Sequence, residues 1–76
     1  MNKEQIIEVV SEILESKPEK IDVGSPIKDL PNWDSIKNLM ILNSIEETES
    51  FQFTDDQLEK INSLSDIFEI LEVKGD

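Results

Sequence analysis

All three prolines, Pro18, Pro26 and Pro31, fall in one segment together with Gly24, and the only other glycine is Gly75 beside the C-terminus. Proline lacks a backbone donor and disfavours helix at the residue before it. The stretch from Lys17 to Pro31 is therefore a long connection, and regular structure must lie on either side. Ile21, Ile27 and Leu30 recur through this connection, which is the pattern of a loop pinned to a core. Ser25-Pro26 has the form of a cap followed by Pro at the first position of a single helical turn.

The flanking segments read as helices. Over roughly residues 3 to 15, Ile6, Val9, Val10, Ile13 and Leu14 recur at three- and four-residue steps and form one apolar stripe. Asn2 is placed to cap this helix with Gln5 three residues on, and Pro18 stops it by about Ser16. A second helix spans roughly residues 35 to 48, with Ile36, Leu39, Ile41, Leu42 and Ile45 as its buried side. A short third helix covers about 55 to 61, capped by Thr54 with Gln57 and anchored by Leu58 and Ile61. Asp55 and Asp56 suit the positive end of its dipole. A fourth covers about 64 to 73, opened by Ser63, with Leu64, Ile67, Phe68 and Leu71 as its stripe. Phe51 and Phe53 plug the bundle, and Lys74–Asp76 is expected to fray. The fold class is all-α: a small four-helix bundle, three main helices and one short, with a long first loop, forming one domain over residues 1–76.

Composition narrows the function. The chain has no cysteine and no histidine, which removes disulfides, thiolate metal sites, a thiol nucleophile and the commonest general base. Serine as an internal nucleophile has no histidine to activate it. Gly-rich phosphate loops are absent, and Asp55 and Asp56 lack the spacing of a calcium loop. Catalysis is not expected, and neither is a metal. No apolar run approaches the roughly 18 residues of a membrane span, and the N-terminal MNKEQ has no signal-peptide core. A cytosolic location is expected. Eighteen acidic residues against seven lysines give a formal charge of −11, which repels nucleic acid and anionic membranes and suits partners with basic patches. The hydrophobic content of 37% argues for a folded domain rather than disorder.

That leaves Asp34-Ser35, in the run LPNWDSI. Aspartate and serine are preferred helix caps, so the pair has a purely structural reading. A second reading fits the same physics. The first turn of a helix has free N–H groups and partial positive charge, which favours a phosphodiester on Ser35. A serine after a long loop is also open to a modifying enzyme. Downstream, Glu46, Glu47 and Glu49 crowd the C-terminal end of the second helix against its dipole, at roughly 0.3–1 kcal/mol each when exposed. A solvated face and a docking surface account for them equally well. Trp33 reads first as a cover over the core and second as a contact for a ligand or partner. Met40 sits among buried neighbours, yet helical phase turns it towards the surface, where it suits adaptable binding.

The segment WDSIKNLMILNSIEE resembles the modification site and second helix of the acyl carrier protein family. Asp34-Ser35-Ile36 matches the family's Asp-Ser-Leu, and Glu46-Glu47 matches its paired glutamates. FQFTDDQLEKINSLSDIFEIL resembles the third and fourth helices, and KPEKIDVGSPIKDL the long first loop, so the likeness runs nearly the whole chain. It implies a non-enzymatic carrier. Ser35 would receive 4′-phosphopantetheine from coenzyme A through a phosphopantetheinyl transferase, and the arm's thiol would hold an acyl or aminoacyl group as a thioester. Asp34 matches the family aspartate used in recognition. The second helix matches the family's docking helix, which puts Ile36, Lys37, Met40, Glu46 and Glu47 on the surface offered to partners. Those partners would be the transferase, an acyl- or aminoacyl-activating enzyme, and downstream acyl-transfer or condensing enzymes with basic patches. The carrier is expected to be monomeric, with no nucleic-acid or membrane partner.

The chain departs from fatty-acid carriers before the second helix. Those usually read Asp-Leu-Gly-Ala/Leu-Asp-Ser-Leu, whereas Asp29-Leu30-Pro31-Asn32-Trp33-Asp34-Ser35 is one residue longer and lacks the glycine. Lys37, Asn38, Met40 and Asn43 also make the start of that helix poor in acid. Both features resemble carriers of dedicated biosynthetic pathways more than those of bulk fatty-acid synthesis. The alternative is an acidic interaction domain of carrier-like fold without a cofactor. An acidic mimic of nucleic acid is a third reading, and Lys28, Lys37 and Lys60 interrupt the charge face it would need.

Overall fold

The computed structural model describes residues 1–72; Val73 and the Lys74–Asp76 tail lie outside the described residues. Helix α1 is Lys3–Ile13, α2 is Ser35–Glu49, α3 is Asp55–Lys60 and α4 is Leu64–Leu71. Short 3₁₀ turns at Pro18–Lys20 and Ile27–Asp29 punctuate the long connection. The described chain is 64% helix and contains no strand, only an isolated bridge between Pro26 and Ser63. This is the small helical bundle expected from the sequence.

Three of the helices open on reciprocal capping boxes. Asn2 Oδ1 accepts from Gln5 N–H at 2.8 Å while Gln5 Oε1 accepts from Asn2 N–H at 2.8 Å. Thr54 and Gln57 do the same for α3, and Ser63 and Asp66 for α4. Each box satisfies donors that a helix start leaves without partners. The Asp66 carboxylate also accepts from Asn62 N–H at 2.8 Å, and these backbone bonds hold its pKa below the usual carboxylate value. Helix α1 ends earlier than its apolar stripe suggests. Glu15 turns left-handed (φ 54°), and Ser16 N–H reaches back to the Ser11 carbonyl at 2.9 Å. This Schellman-type closure satisfies the last carbonyls before Pro18 is reached.

The core is built from Ile6 and Val10 of α1 with its C-cap Leu14, Ile41 and Ile45 of α2, and Leu64, Ile67 and Phe68 of α4. Ile21, Ile27 and Leu30 are buried with them, so the long connection is pinned as its spacing suggested. Two backbone links fasten it to the start of α4: Ile27 N–H donates to the Asn62 carbonyl at 2.7 Å, and Ser65 N–H to the Val23 carbonyl at 3.0 Å. Phe53 closes the bundle between α2 and α3, with the half-buried Phe51 packed edge-on at 5.1 Å.

Three expectations are corrected. Ser25 does not cap a helical turn at Pro26. Its hydroxyl donates to Asp22 at 2.9 Å, and the 3₁₀ turn begins one residue later, at Ile27. Leu58 does not anchor α3: it is 41% exposed, and no residue of α3 is buried. Phe53 fills the core at this point, and Ile61, just past the end of α3, is the residue that packs against it. Finally, Ile36 and Leu39 do not belong to the buried side of α2; they are 72% and 60% exposed. At 3.6 residues per turn, Ile36 lies roughly 140° around the helix from Ile41. The helix is apolar on two faces, and only one of them meets the core.

Candidate modification site

The site is assembled by the residues that depart from the family pattern. Pro31 and Asn32 form the middle of a tight turn closed by Trp33 N–H donating to the Leu30 carbonyl at 3.3 Å. Asn32 takes φ 61°, the left-handed region. Proline second and a left-handed asparagine third is the residue pattern of a type II turn, where asparagine stands in for glycine. Its side chain has a further use. Asn32 Nδ2 donates to the carbonyl of Leu14, the residue that ends α1, at 2.9 Å. The Asn32 carbonyl in turn accepts from Lys37 Nζ at 3.0 Å. One residue thus ties the end of α1 to the first turn of α2.

Substitution separates these roles. Asn32→Gly keeps the left-handed backbone and loses only the side-chain bond, a loss of about 0.5–1.5 kcal/mol. Asn32→Ala also forces a Cβ into that region, adding about 1–2 kcal/mol. Urea denaturation is expected to rank Ala below Gly; equal midpoints would mean that the turn relaxes freely.

Asp34 is the N-cap of α2. It is extended (φ −151°), and its carboxylate accepts from Lys37 N–H at 2.8 Å. Ser35 follows as the first helical residue, exposed, with no hydrogen bond to its hydroxyl among the described residues. The amides of Ser35 and Ile36 also have no partner among the described residues, as the geometry of a helix start requires. The hydroxyl therefore projects beside unsatisfied donors on a fixed helix end.

Around it, the structure divides the expected docking residues. Ile36 and Met40 (48% exposed) lie on the outer face of α2, and Leu39 joins them. Met40 is thus on the surface, the second of its two sequence readings. Lys37 is half-buried and held by Asn32. Glu46 has a structural engagement that sequence reasoning missed: its Oε2 accepts from Phe53 N–H at 2.9 Å, shaping the loop after α2. Glu49 pairs with the Met1 amine. Of the three crowded glutamates only Glu47 is fully exposed. Trp33 packs against the core, as the first of its readings has it, and its Nε1 approaches Asn38 Oδ1 at 3.4 Å. It also forms one wall of an open cleft of about 250 Å³ between α2, α3 and the long connection, opposite Leu42, Leu58 and Ile61.

No family profile matches the chain. Among individual proteins, it is 29% identical to an acyl carrier protein of Coprothermobacter proteolyticus, in a match over 76 residues covering 95% of this chain and 93% of the relative. The chain resembles the acyl carrier proteins. The likeness is to a carrier and not to an enzyme, which accords with the expectation that the chain catalyses nothing. Like a carrier protein of this kind, it is a short helical bundle throughout its described length. Among the described residues no acidic group is arranged to hold a metal, and no helix is long and apolar enough to cross a membrane.

Proposed function

We propose that the chain is a single-domain carrier that bears 4′-phosphopantetheine on Ser35. The observation that carries this reading is the exposed Ser35 hydroxyl, unpartnered among the described residues, first in α2 and directly behind the Asp34 cap. The residues fit the group: the free amides of Ser35 and Ile36 are donors for a phosphodiester, and the helix dipole favours its charge. Attachment needs a separate transferase. Ser35 Oγ attacks the phosphorus next to the pantetheine in coenzyme A, its proton passes to the transferase, and adenosine 3′,5′-bisphosphate leaves. When attached, the arm supplies a thiol that holds an acyl or aminoacyl group as a thioester. This chain contributes no thiol of its own to compete for that group. Asp34 fixes the helix end on which the transferase acts.

The carrier works in the cytosol as a monomer, and its partners are an acyl- or aminoacyl-activating enzyme and later acyl-transfer or condensing enzymes. A specialised pathway is favoured over bulk fatty-acid synthesis by the Pro31–Asn32–Trp33 turn and by the acid-poor start of α2. Docking uses the outer face of α2, with Ile36, Leu39 and Met40 as apolar contacts and Glu47 as the charge for a basic patch. Glu47→Lys is expected to slow association at low salt without moving the melting temperature, whereas Glu46→Lys lowers the melting temperature as well because Phe53 loses its acceptor. Equal melting effects would overturn the division between the two.

The test is intact mass after incubation with coenzyme A and a broad-specificity phosphopantetheinyl transferase. A gain of one phosphopantetheine is expected. No gain in a folded sample across several transferases would leave a cofactor-free interaction domain.

A further inference from the structure

The chain has two methionines and no cysteine, and the fold places the two thioethers differently. The Met1 side chain is 6% exposed and packs against the core. Met40 is 48% exposed, on the outer face of α2. Its neighbours three and four residues along the helix are Ile36, Lys37, Asn43 and Ser44, positions whose Cβ atoms lie about 5–6 Å away. None of them is acidic, on a chain of formal charge −11. With Ile36 and Leu39, Met40 makes the apolar stretch of α2 that the core leaves uncovered.

An exposed thioether is open to two-electron oxidants. Before loading, the chain has no thiol to meet a peroxide first, and an acylated arm would have its own sulfur masked as a thioester. In both states Met40 Sδ is a sulfur that solvent reaches. The step balances with hydrogen peroxide alone. Met40 Sδ attacks one peroxide oxygen, the O–O bond breaks, an S–O bond forms, and the displaced oxygen leaves as water with both protons. Sulfur is oxidised by two electrons and the peroxide is reduced. The sulfoxide is polar and chiral where the side chain was apolar. Docking must then strip water from the S–O group, a cost that the thioether does not carry.

We propose that Met40 is a peroxide-sensitive modification site whose sulfoxide weakens the docking of α2 on its partners, the transferase among them. This rests on the carrier reading of Ser35 and goes beyond it by making the docking contact reversible, since methionine sulfoxide reductases, one for each epimer, return the thioether. The fold is not at stake. The next residue, Ile41, is the one turned into the core, and Met40 points away from it.

The experiment treats the apo protein with hydrogen peroxide, removes the peroxide, and measures peptide masses, circular dichroism and transferase kcat/KM with coenzyme A. Untreated protein is loaded first. If it gains no phosphopantetheine, the carrier reading fails and this inference falls with it. With loading established, one oxygen is expected on the peptide containing Met40 before any on Met1, with helical content unchanged. The transferase kcat/KM is expected to fall about tenfold and to recover when the two reductases remove the oxygen. Met40→Leu keeps an apolar side chain of similar volume. Whatever its starting rate, peroxide should leave that rate unchanged. First oxidation at Met1, a Met40 sulfoxide loaded at the untreated rate, a melted helix, or an equal loss in Met40→Leu would overturn the assignment.

Discussion

Ser35→Ala protein gains no mass when incubated with coenzyme A and a transferase, while its helical content stays that of the parent. The two halves of this expectation rest on different residues. Loading is lost completely because Ser35 Oγ is the atom proposed to take the phosphodiester. The helix survives because its cap is Asp34, whose carboxylate takes the Lys37 amide, and Ser35 makes no side-chain bond among the described residues. Alanine is also the best helix former. Circular dichroism and intact mass on the same sample separate the outcomes. A loaded Ser35→Ala protein would move the site elsewhere, and a melted helix would return Ser35 to the role of a cap.

The second large effect contrasts two isoleucines on one helix. Ile41 is 1% exposed and packed in the core, so Ile41→Ala should cost about 2–5 kcal/mol. At roughly 0.05–0.15 kcal/mol per residue, a domain this small holds on the order of 4–11 kcal/mol in total. Ile41→Ala is therefore expected to remove a large share of the stability and to lower the urea midpoint sharply. Ile36, 72% exposed, should cost under about 0.5 kcal/mol when cut to alanine. Its effect appears instead with a partner, as a fall of about tenfold in transferase kcat/KM if it is an anchor of the docking face. Urea denaturation and transferase kinetics on both variants read this directly. An unstable Ile36→Ala protein would contradict the outward orientation of that face.

Much of this was legible in the sequence because caps and stripes are local. Asn2 with Gln5, Thr54 with Gln57 and Ser63 each mark a helix start through bonds spanning three residues. Ile21, Ile27 and Leu30 announced a pinned loop by spacing alone. Other features depended on partners far along the chain. Nothing near Glu46 tells that it serves Phe53 rather than a docking enzyme. The outward turn of Ile36 and Leu39 was hidden because α2 has apolar residues on two faces, and periodicity cannot say which one meets α1. Asn32 was the one missed residue with a readable signal: an asparagine after proline, where a carrier usually has glycine, points to a left-handed turn. That it also binds the end of α1 could only come from the fold.

The central claim is that a single serine on a helix end carries the arm. Fragmentation mass spectrometry of the transferase-treated protein tests it most directly. The account predicts that the added phosphopantetheine lies wholly on the peptide containing Ser35, with its thiol free to take an acyl group. Modification at another serine, such as the half-buried Ser44, or none on a folded chain, would contradict it.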